Sequence, residues 1–387
     1  MKTVKLKDLV DFSNGYAFKS TDYVEYSNTV NCRMSNIRPD GSFDVEYNIK
    51  YLPDEFAEKY KGFILNDGDI IIAMTDMAGD PKILGVPTLV NTKGYSVLMN
   101  QRVGKLTLKS KDIHPTYLKY YLMSNYARNY FKSFAGGGVQ LNIGQKEILN
   151  IDIKLCDIKE QVEICNVLDK INVLIQQNSK QIEKLDQLIK SRFIELFGLP
   201  VSNSKKWNTE KMNDVAPAVN YSGDFEETVW LLNLDMVEAQ TGRIIEYRYV
   251  YENEVGNSTC TFDTSNILYS KLRPYLNKVV IPDRCGYATS EMIPLKPNTS
   301  KLERTYLAFM LRSDEFVNMI NEKVAGAKMP RVSMSDFREF DVPVPPMELQ
   351  KQFSDFVDQP DKSKLAVQQS LEKLEILKKS LMQKYFG

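Results

Sequence analysis

The chain carries the same helix ending twice. Residues 182–198 read IEKLDQLIKSRFIELFG, and residues 371–387 read LEKLEILKKSLMQKYFG. A shift of 189 residues superimposes these stretches and also places TYLKYYLMS (116–124) on TYLAFMLRS (305–313) without a gap. Eighteen of the 83 positions in this register are identical, which is too many for chance. The chain therefore contains two copies of one unit, and this duplication sets the architecture.

Each copy combines a variable mixed α/β part with a shared helical part. Upstream of the matched stretch, GDIIIAMTDMAGDPKILG (68–85) faces SNILYSKLRPYLNKVVIP (265–282). Both are strand-type runs followed by a polar loop, but their loop residues differ. A helix is expected at about 115–131, and LPVSNSKKW (199–207) has the composition of a linker. We divide the chain into a first α/β domain, a first long helix, a linker with the second α/β domain, and a second long helix, at residues 1–151, 152–198, 199–340 and 341–387.

The shared helical part has an apolar seam with steps of four and three residues. Such a heptad pattern is typical of a helix that packs against another helix, and each helix should run about 35–40 residues. Asn178 falls in the seam of the first copy, where a polar residue can fix the register. The seam residues are Ile164, Leu168, Ile171, Ile175, Ile182, Leu185, Ile189 and Leu196 in the first copy, and Phe353, Val357, Val367, Leu371, Leu374, Leu381 and Tyr385 in the second.

The second copy departs from this pattern in two ways. Lys364 and Lys378 occupy seam positions, and Pro360 falls where Ile171 lies in the first copy. A proline inside a helix removes a backbone donor, so the sequence predicts that the second helix is kinked or split there. VPPM (344–347) is interpreted as a proline stop before a helix that begins near Met347.

Composition excludes several classes of protein. Hydrophobic content of 43% and charged content of 26% are ordinary for a globular protein, and no segment approaches the roughly 20 apolar residues of a membrane span. The start, MKTVKLKDLVDF, lacks the apolar region of a signal peptide, so we expect a cytoplasmic protein. The formal net charge is zero, which means that any grip on phosphates must come from local patches.

Histidine and cysteine offer little material for catalysis. The five cysteines are scattered without a C-x-x-C pair, so we expect reduced and mostly buried thiols rather than disulfides or a zinc ribbon. The only histidine, His114, precedes Pro115 and should lie in an extended or turn segment. A Ser-His-Asp or Cys-His arrangement or a multi-histidine metal site therefore has almost no material to work with.

Other catalytic patterns are weak. The glycine cluster AGGGVQLNIG (135–144) lacks dinucleotide-binding spacing, and the chain has no Walker A sequence. Asp54 together with Asp80 and Lys82 could hold a magnesium ion as a nuclease does, but Pro81 interrupts that strand and the second copy has no counterpart.

Polar and basic loops recur at corresponding places in the two copies. FAGGGVQLN and VAGAKMPR both precede the strand that leads into a long helix, and Asn142 coincides with Arg331 under the shift. Both residue types pair with base edges or phosphates, and glycine lets a backbone approach a ligand closely. SKLRPYL places Lys271, Arg273 and Tyr275 around a turn that suits a phosphate or a guanine.

The whole chain resembles the specificity subunit of a Type I restriction-modification enzyme. The order of the motifs, occurring twice, is more specific than any single motif. Those motifs are LKDLVDFSNGYAFKS, GDIIIAMT, NQRVGKL, AGGGVQLNI and KEQVEI in the first copy, and SNILYSKLRPYLNKV, GAKMPRVSMSDF and VPVPPMELQKQF in the second.

The resemblance implies an α+β fold in which two mixed α/β target recognition domains are joined by two long antiparallel helices, as a pseudo-two-fold tandem repeat. Each domain would read one half of an asymmetric bipartite site in double-stranded DNA. The helices would set the spacer and dock two methyltransferase subunits, with restriction and translocase subunits in the full complex. The chain itself would be non-catalytic and would hold no cofactor, because S-adenosylmethionine, ATP and magnesium would belong to the partners.

We expect the DNA-contacting residues in the loops just described and in the motifs that carry the resemblance. They are Arg33, Asn36, Thr75, Asp76, Gly137, Gln140, Asn142, Lys271, Arg273, Tyr275, Lys328 and Arg331. Two alternatives stay open at this point: a self-sufficient magnesium-dependent nuclease, and a structural tandem-repeat protein that does not bind DNA.

Overall fold

A computed structural model describes residues 2–322, 324 and 329–387. The chain divides into two compact units: unit 1 comprises Met1–Gln177 with Ser370–Gly387, and unit 2 comprises Asn178–Gln369. The domains expected from the sequence separate each long helix from its α/β part, so their boundaries differ from this division and stay predictions. Each unit is described here by itself.

Unit 1 begins with short helices and strands and leads into a long helix. Its elements are β1 (Lys2–Lys5), α1 (Leu6–Leu9), β2 (Val10–Asn14), β3 (Thr29–Cys32), β4 (Tyr51–Leu52), α2 (Glu55–Lys59), β5 (Ile64–Leu65), β6 (Ile70–Ala73), β7 (Thr75–Met77), β8 (Pro87–Leu89), β9 (Ser96–Met99), β10 (Val103–Leu108), α3 (Pro115–Met123), α4 (Asn125–Phe134), β11 (Gln140–Asn142), α5 (Gln145–Leu149), β12 (Asp152–Leu155) and the first part of α6 (Ile158–Phe197).

Unit 2 contains the rest of α6 and follows the same order. Its further elements are β13 (Thr209–Lys211), α7 (Met212–Val215), β14 (Thr228–Leu232), β15 (Arg248–Tyr251), β16 (Thr259–Phe262), β17 (Ile267–Ser270), β18 (Val279–Val280), β19 (Gly286–Thr289), β20 (Met292–Leu295), α8 (Arg304–Arg312), α9 (Asp314–Glu322), α10 (Met334–Arg338), β21 (Asp341–Pro343) and the first part of α11 (Met347–Phe386), whose last turns belong to unit 1.

The sheets of the two units have matching topology. One sheet is ordered β4–β3–β9–β5 in unit 1 and β15–β14–β19–β16 in unit 2, and in both the inner pair of strands is parallel while the outer pairs are antiparallel. A second sheet is ordered β2–β10–β6–β8 in unit 1. Its counterpart in unit 2 is ordered β20–β17–β18, and these three strands correspond to β10, β6 and β8. The duplication therefore extends through the α/β parts, where the sequences diverge.

The strands predicted at 68–85 and 265–282 are buried on both faces. Successive residues of β6 alternate between two apolar clusters, with Ile70 and Ile72 in one and Ile71 in the other. In unit 2, Ile267 and Leu268 of β17 are likewise divided between two clusters. A strand that is covered on both faces requires a continuous apolar run, and this explains the absence of polar alternation in GDIIIAMT.

The helix predicted at about 115–131 is broken into α3 and α4. Ser124 has extended backbone angles, and its hydroxyl accepts a hydrogen bond from the N–H of Ala127 at 3.3 Å. The identical residue of the second copy, Ser313, does the same for Phe316 at 3.3 Å. Serine is a preferred N-cap, so the break follows from a residue that both copies share.

The long helices have the predicted length, since α6 and α11 each contain 40 residues. In unit 2, Phe353 near the start of α11 contacts Phe193 near the end of α6, and Lys364 further along α11 pairs with Asp186 further back on α6. The two helices of this unit therefore run antiparallel. α11 begins at Met347, as predicted.

Pro360 was predicted to kink or split the second helix; the split is wrong, and the kink stays a prediction. α11 continues through Pro360, whose ring is buried. The missing N–H removes a single bond of the helical ladder, while the bonds of neighbouring residues maintain the helix. The seam lysine Lys364 is also accommodated, because its ammonium group lies 2.6 Å from the Asp186 carboxylate and its side chain is only 17% exposed.

The duplicated helix endings pack on the duplicated tyrosines of the opposite copy. In unit 1, Phe386 lies 5.3 Å from the ring of Tyr117, and in unit 2, Phe197 lies 4.7 Å from the ring of Tyr306. The Tyr117 hydroxyl donates to the carbonyl of Lys154 at 3.0 Å, and that of Tyr306 donates to Pro343 at 2.9 Å. Burial raises the pKa of both phenols, which keeps them protonated as donors.

A fully buried glutamine in the first turn of each long helix ties three backbone segments together. Gln161 accepts from the N–H of His114 at 2.9 Å and donates to the carbonyls of Asp112 and Cys156 at 2.8 and 2.9 Å. Gln350 makes the corresponding bonds in unit 2, accepting from Glu303 at 2.8 Å and donating to Lys301 and Pro345 at 2.9 and 2.8 Å.

The single histidine matches its prediction, whereas the cysteines match theirs only in part. His114 precedes α3 with extended backbone angles, as predicted. Of the five free cysteines, Cys32 and Cys165 are buried, Cys156 and Cys260 are half-buried and Cys285 is exposed. The expectation of mostly buried thiols is therefore met only in part.

We predict that Gln161→Ala and Gln350→Ala each destabilise the chain by at least about 1–3 kcal/mol, the cost of a single unsatisfied buried polar group. Each substitution leaves three backbone groups without their side-chain partner. Urea unfolding of the full chain measures the effect, with the exposed Gln187→Ala on α6 as the matched control. Equal unfolding midpoints for Gln161→Ala and Gln187→Ala would contradict this account.

Candidate nucleic-acid interface

Two stretches of unit 1 that are distant in sequence pair with each other beyond the end of β6. β7 pairs antiparallel with β11, so that Thr75 lies opposite Asn142 and Met77 lies opposite Gln140. The Thr75 hydroxyl donates to Oδ1 of Asn142 at 2.8 Å. We call residues 75–77 and 140–142 the unit 1 loop pair. The structure thus brings together the predicted residues Thr75, Asp76, Gly137, Gln140 and Asn142.

Two of these residues have internal roles. Asp76 is 6% exposed, and its carboxylate accepts hydrogen bonds from the N–H groups of Met77 at 2.8 Å, Leu84 at 2.9 Å and Ile83. Gly137 has a φ of +132°, and a Cβ there would lie 1.9 Å from the carbonyl oxygen of Gln140. Both residues shape the loops, and Gln140 and Asn142 present their side chains at the surface.

Arg33 and Asn36 anchor a separate loop at the end of β3. The buried side chain of Asn36 donates to the carbonyls of Asp44 at 2.9 Å and Tyr47 at 3.0 Å. Arg33 donates to the carbonyl of Asn48 at 2.5 Å. Each side chain thus donates to the backbone of residues 44–48.

Unit 2 has an equivalent structure built from basic residues. Leu272 forms a bridge with Arg331, the N–H of Arg273 donates to the carbonyl of Pro330 at 2.8 Å, and the N–H of Val332 donates to Lys271 at 2.9 Å. We call residues 271–273 and 330–332 the unit 2 loop pair. The structure thus brings the predicted residues Lys271, Arg273 and Arg331 together, whereas Lys328 lies outside the described residues.

The turn after Arg273 exposes further polar groups. Arg273 has a φ of +50°, in the left-handed region, and its side chain is exposed. Tyr275 follows in the same turn and is 46% exposed. Within the described part of the chain, the side chains of Lys271, Arg273 and Tyr275 form no hydrogen bond, and Lys271 is half-buried.

The two loop pairs occupy the same place in their units. In unit 1, the N–H of Met74 donates to the carbonyl of Arg102 at 3.0 Å, and in unit 2 the N–H of Lys271 donates to the carbonyl of Glu291 at 3.0 Å. Arg102 and Glu291 lie in the turns that precede β10 and β20, and they correspond under the same shift of 189 residues. Each loop pair therefore rests beside a turn whose charge differs between the units.

These two turn residues were missed in the sequence. Glu291 accepts a forked interaction from Arg331, with Nη2 at 2.8 Å and Nε at 3.2 Å from Oε1. The Arg331 guanidinium holds the pKa of Glu291 below its ordinary value. Forty residues separate the partners, so spacing could not reveal the pair. The signal that could have found it was the alignment of NQRVGKL with TSEMIPL under the shift.

The nuclease hypothesis finds no support in these positions. The Asp54 carboxylate accepts from the N–H of Asn28 at 3.0 Å and the Thr29 hydroxyl at 2.9 Å, and Asp80 pairs with Lys82 at 3.1 Å on the exposed surface. In the described ranges, no group of three acidic, histidine or cysteine side chains is placed to hold a metal ion. None of the helices in those ranges combines the length and apolar character needed to cross a membrane.

Comparison with known proteins gives a family match over most of the chain. The model of the "Type I restriction modification DNA specificity domain" matches twice, over residues 1–187 and 201–376. The chain is 30% identical over 187 residues to the Type I restriction enzyme MjaVIII specificity subunit of Methanocaldococcus jannaschii, covering 48% of this chain and 43% of that protein. It is 23% identical over 286 residues to the Type I restriction enzyme EcoDI specificity subunit of Escherichia coli, covering 63% of each. Both matches thus span less than two thirds of the relative.

Two solved structures share the fold. The S subunit of a Type-I restriction-modification system from M. genitalium aligns with a TM-score of 0.59 at 15% identity, covering 100% of this chain and 96% of that one. A chain from a structure on complex assembly and conformational transition of the type I R-M system aligns with a TM-score of 0.53 at 15% identity, covering 100% and 97%. The predicted α+β fold class is thereby confirmed.

We predict that Asp76→Asn loosens the loop that follows β7. An amide oxygen cannot replace both carboxylate oxygens, and a charge-assisted hydrogen bond contributes about 1.5–3 kcal/mol. Hydrogen exchange at the amides of Ile83 and Leu84 should therefore accelerate roughly 10- to 100-fold. Asp80→Asn, in the same loop but exposed, is the control, and equal exchange in both variants would refute the role of Asp76.

Proposed function

The chain belongs to the family of Type I restriction modification DNA specificity domains, and on this basis we propose that it is the non-catalytic DNA-specificity subunit of a Type I restriction-modification complex. Each α/β part reads one half of a bipartite target in double-stranded DNA. One observation carries this proposal. The unit 1 loop pair and the unit 2 loop pair occupy the same place in two units of matching topology, but their side chains differ.

The chemistry of the loop pairs suits two different half-sites. The unit 1 loop pair offers Asn142, Gln140 and the neighbouring exposed Arg102, whereas the unit 2 loop pair offers Lys271, Arg273 and Arg331. Amide side chains pair with adenine, and arginine pairs with guanine. Because the units differ in these groups, the target should be asymmetric.

The long helices serve as a spacer and as the docking surface for two methyltransferase subunits. Val167, Leu174 and Leu188 follow one another at multiples of seven residues along α6 and are 40%, 45% and 49% exposed. Leu365 and Ile376 on α11 are 57% and 70% exposed. Apolar residues repeated along a helix favour packing against the helices of another protein.

The reactions belong to other subunits. The partners would bind S-adenosylmethionine, ATP and magnesium, and restriction and translocase subunits would complete the assembly in the cytoplasm.

Mapping methylated bases tests the proposal directly. In cells that express the chain with its methyltransferase subunit, we expect methylation at a bipartite sequence with two different halves and a fixed unspecific spacer. Arg273→Ala should weaken recognition of only one half, by about 1–3 kcal/mol if it reads a base. Methylation of a continuous target, or magnesium-dependent DNA cutting by the chain alone, would refute the proposal.

A second prediction concerns the spacer. Deleting one heptad at corresponding positions of α6 and α11 shortens each helix by roughly 10 Å, which corresponds to about three base pairs of DNA. The same methylation mapping should then show a shorter spacer with unchanged half-sites. The control replaces exposed residues of that heptad without deleting it and should keep the spacer, whereas altered half-sites after deletion would rule out a measuring role.

A further inference from the structure

The ion pair between Glu291 and Arg331 lies at the position where the loop pairs of the two units differ most. The side chain of Glu291 is 22% exposed and that of Arg331 is 51% exposed, so the carboxylate sits below an arginine that faces solvent. The backbone of both residues is fixed, since the carbonyl of Glu291 accepts from Lys271 and Arg331 bridges Leu272. The pair thus joins the turn before β20 to the unit 2 loop pair.

Among the residues that the structure describes, no partner occupies one edge of the Arg331 guanidinium. Arg331 uses Nε and Nη2 toward Glu291, with Nη2 at 2.8 Å from Oε1 and Nε at 3.3 Å from Oε2. A guanidinium has five N–H donors in a planar fork, so the donors of Nη1 and the second donor of Nη2 point away from the carboxylate. Two such parallel donors match O6 and N7 of guanine in the major groove.

We propose that Glu291 is a positioning residue that holds the Arg331 fork for a guanine in the half-site read by unit 2. The inference rests on the proposed function, because it assumes that the unit 2 loop pair faces DNA. It adds a specificity determinant, the kind of base that is read, and a reason why the two units read different sequences.

The charge balance favours a base over a phosphate. An arginine that contacts a phosphate contributes through its positive charge, and a carboxylate 2.8 Å away would cancel that contribution and repel the DNA backbone. A base edge is neutral, so directed donors matter more there than net charge. Unit 1 has Arg102 where unit 2 has Glu291. Within the part of the chain that the structure describes, Arg102 forms no ion pair. An arginine that is held by a carboxylate, as Arg331 is by Glu291, is therefore specific to unit 2.

The experiment uses the chain assembled with its methyltransferase subunit and a duplex carrying the methylated target mapped for the natural chain. Each guanine of that target is replaced in turn by 7-deazaguanine, which lacks the N7 acceptor. At one guanine we expect roughly 10- to 100-fold weaker binding by the natural chain. Arg331→Ala and Arg331→Lys should lose this sensitivity, because lysine keeps the charge but not the fork.

The variants of Glu291 separate positioning from simple electrostatics. If Glu291 acts through Arg331, Glu291→Ala should reduce discrimination at the same guanine, Glu291→Gln should keep part of it, and Glu291→Ala should add no further loss to Arg331→Ala. If Arg331 contacts a phosphate instead, Glu291→Ala should raise affinity for all duplexes and leave base discrimination unchanged. That result would overturn the inference.

Two controls keep the outcome interpretable. Asp341→Ala breaks a more exposed ion pair with Lys211 in the same unit and should leave discrimination unchanged. Discrimination at the half-site read by unit 1 should survive every variant, which shows that the assembly is folded. A target in which no guanine depends on Arg331 overturns this inference but not the proposed function, whereas the absence of any bipartite methylated target overturns the proposed function itself.

Discussion

Both units depend on one contact, the packing of a helix ending on a tyrosine of the opposite copy. Phe386 of the second copy packs on Tyr117 of the first, and Phe197 of the first packs on Tyr306 of the second. Each tyrosine is fixed by its hydroxyl on the strand before a long helix. The helix ending is therefore repeated because each unit needs one, and each copy supplies it to the other.

The buried glutamines explain how such a contact tolerates divergent recognition parts. Gln161 and Gln350 bind only backbone groups, so they fix the corner between the strand and the long helix whatever side chains surround it. Because a buried amide with every group satisfied is stable and a partly satisfied one is costly, this position can hardly change. The same logic applies to the N-caps Ser124 and Ser313, which both copies also share.

Sequence predicted the large elements and missed the local hydrogen bonds. The duplication gave the long helices and placed Asn142 and Arg331 at one position, because a fixed shift relates equivalent backbone sites. It could not show that Asp76 and Asn36 are anchored inside their loops, since such bonds depend on how a loop folds back. Pro360 was predicted from local propensity to kink or split α11, yet the helix continues through it.

The design of the loop pairs separates stability from what they read. Each loop is held to its neighbours by backbone bonds, such as Met74 to Arg102 in unit 1 and Lys271 to Glu291 in unit 2. Any residue can accept such a backbone bond, and any residue except proline can donate it. The side chains at 102, 142, 291 and 331 can therefore change without loss of the fold. Arg102 and Glu291 show this freedom directly, since opposite charges occupy the same backbone position. On the proposed function, a chain built in this way can acquire a new half-site in one unit while the other unit and the long helices stay the same.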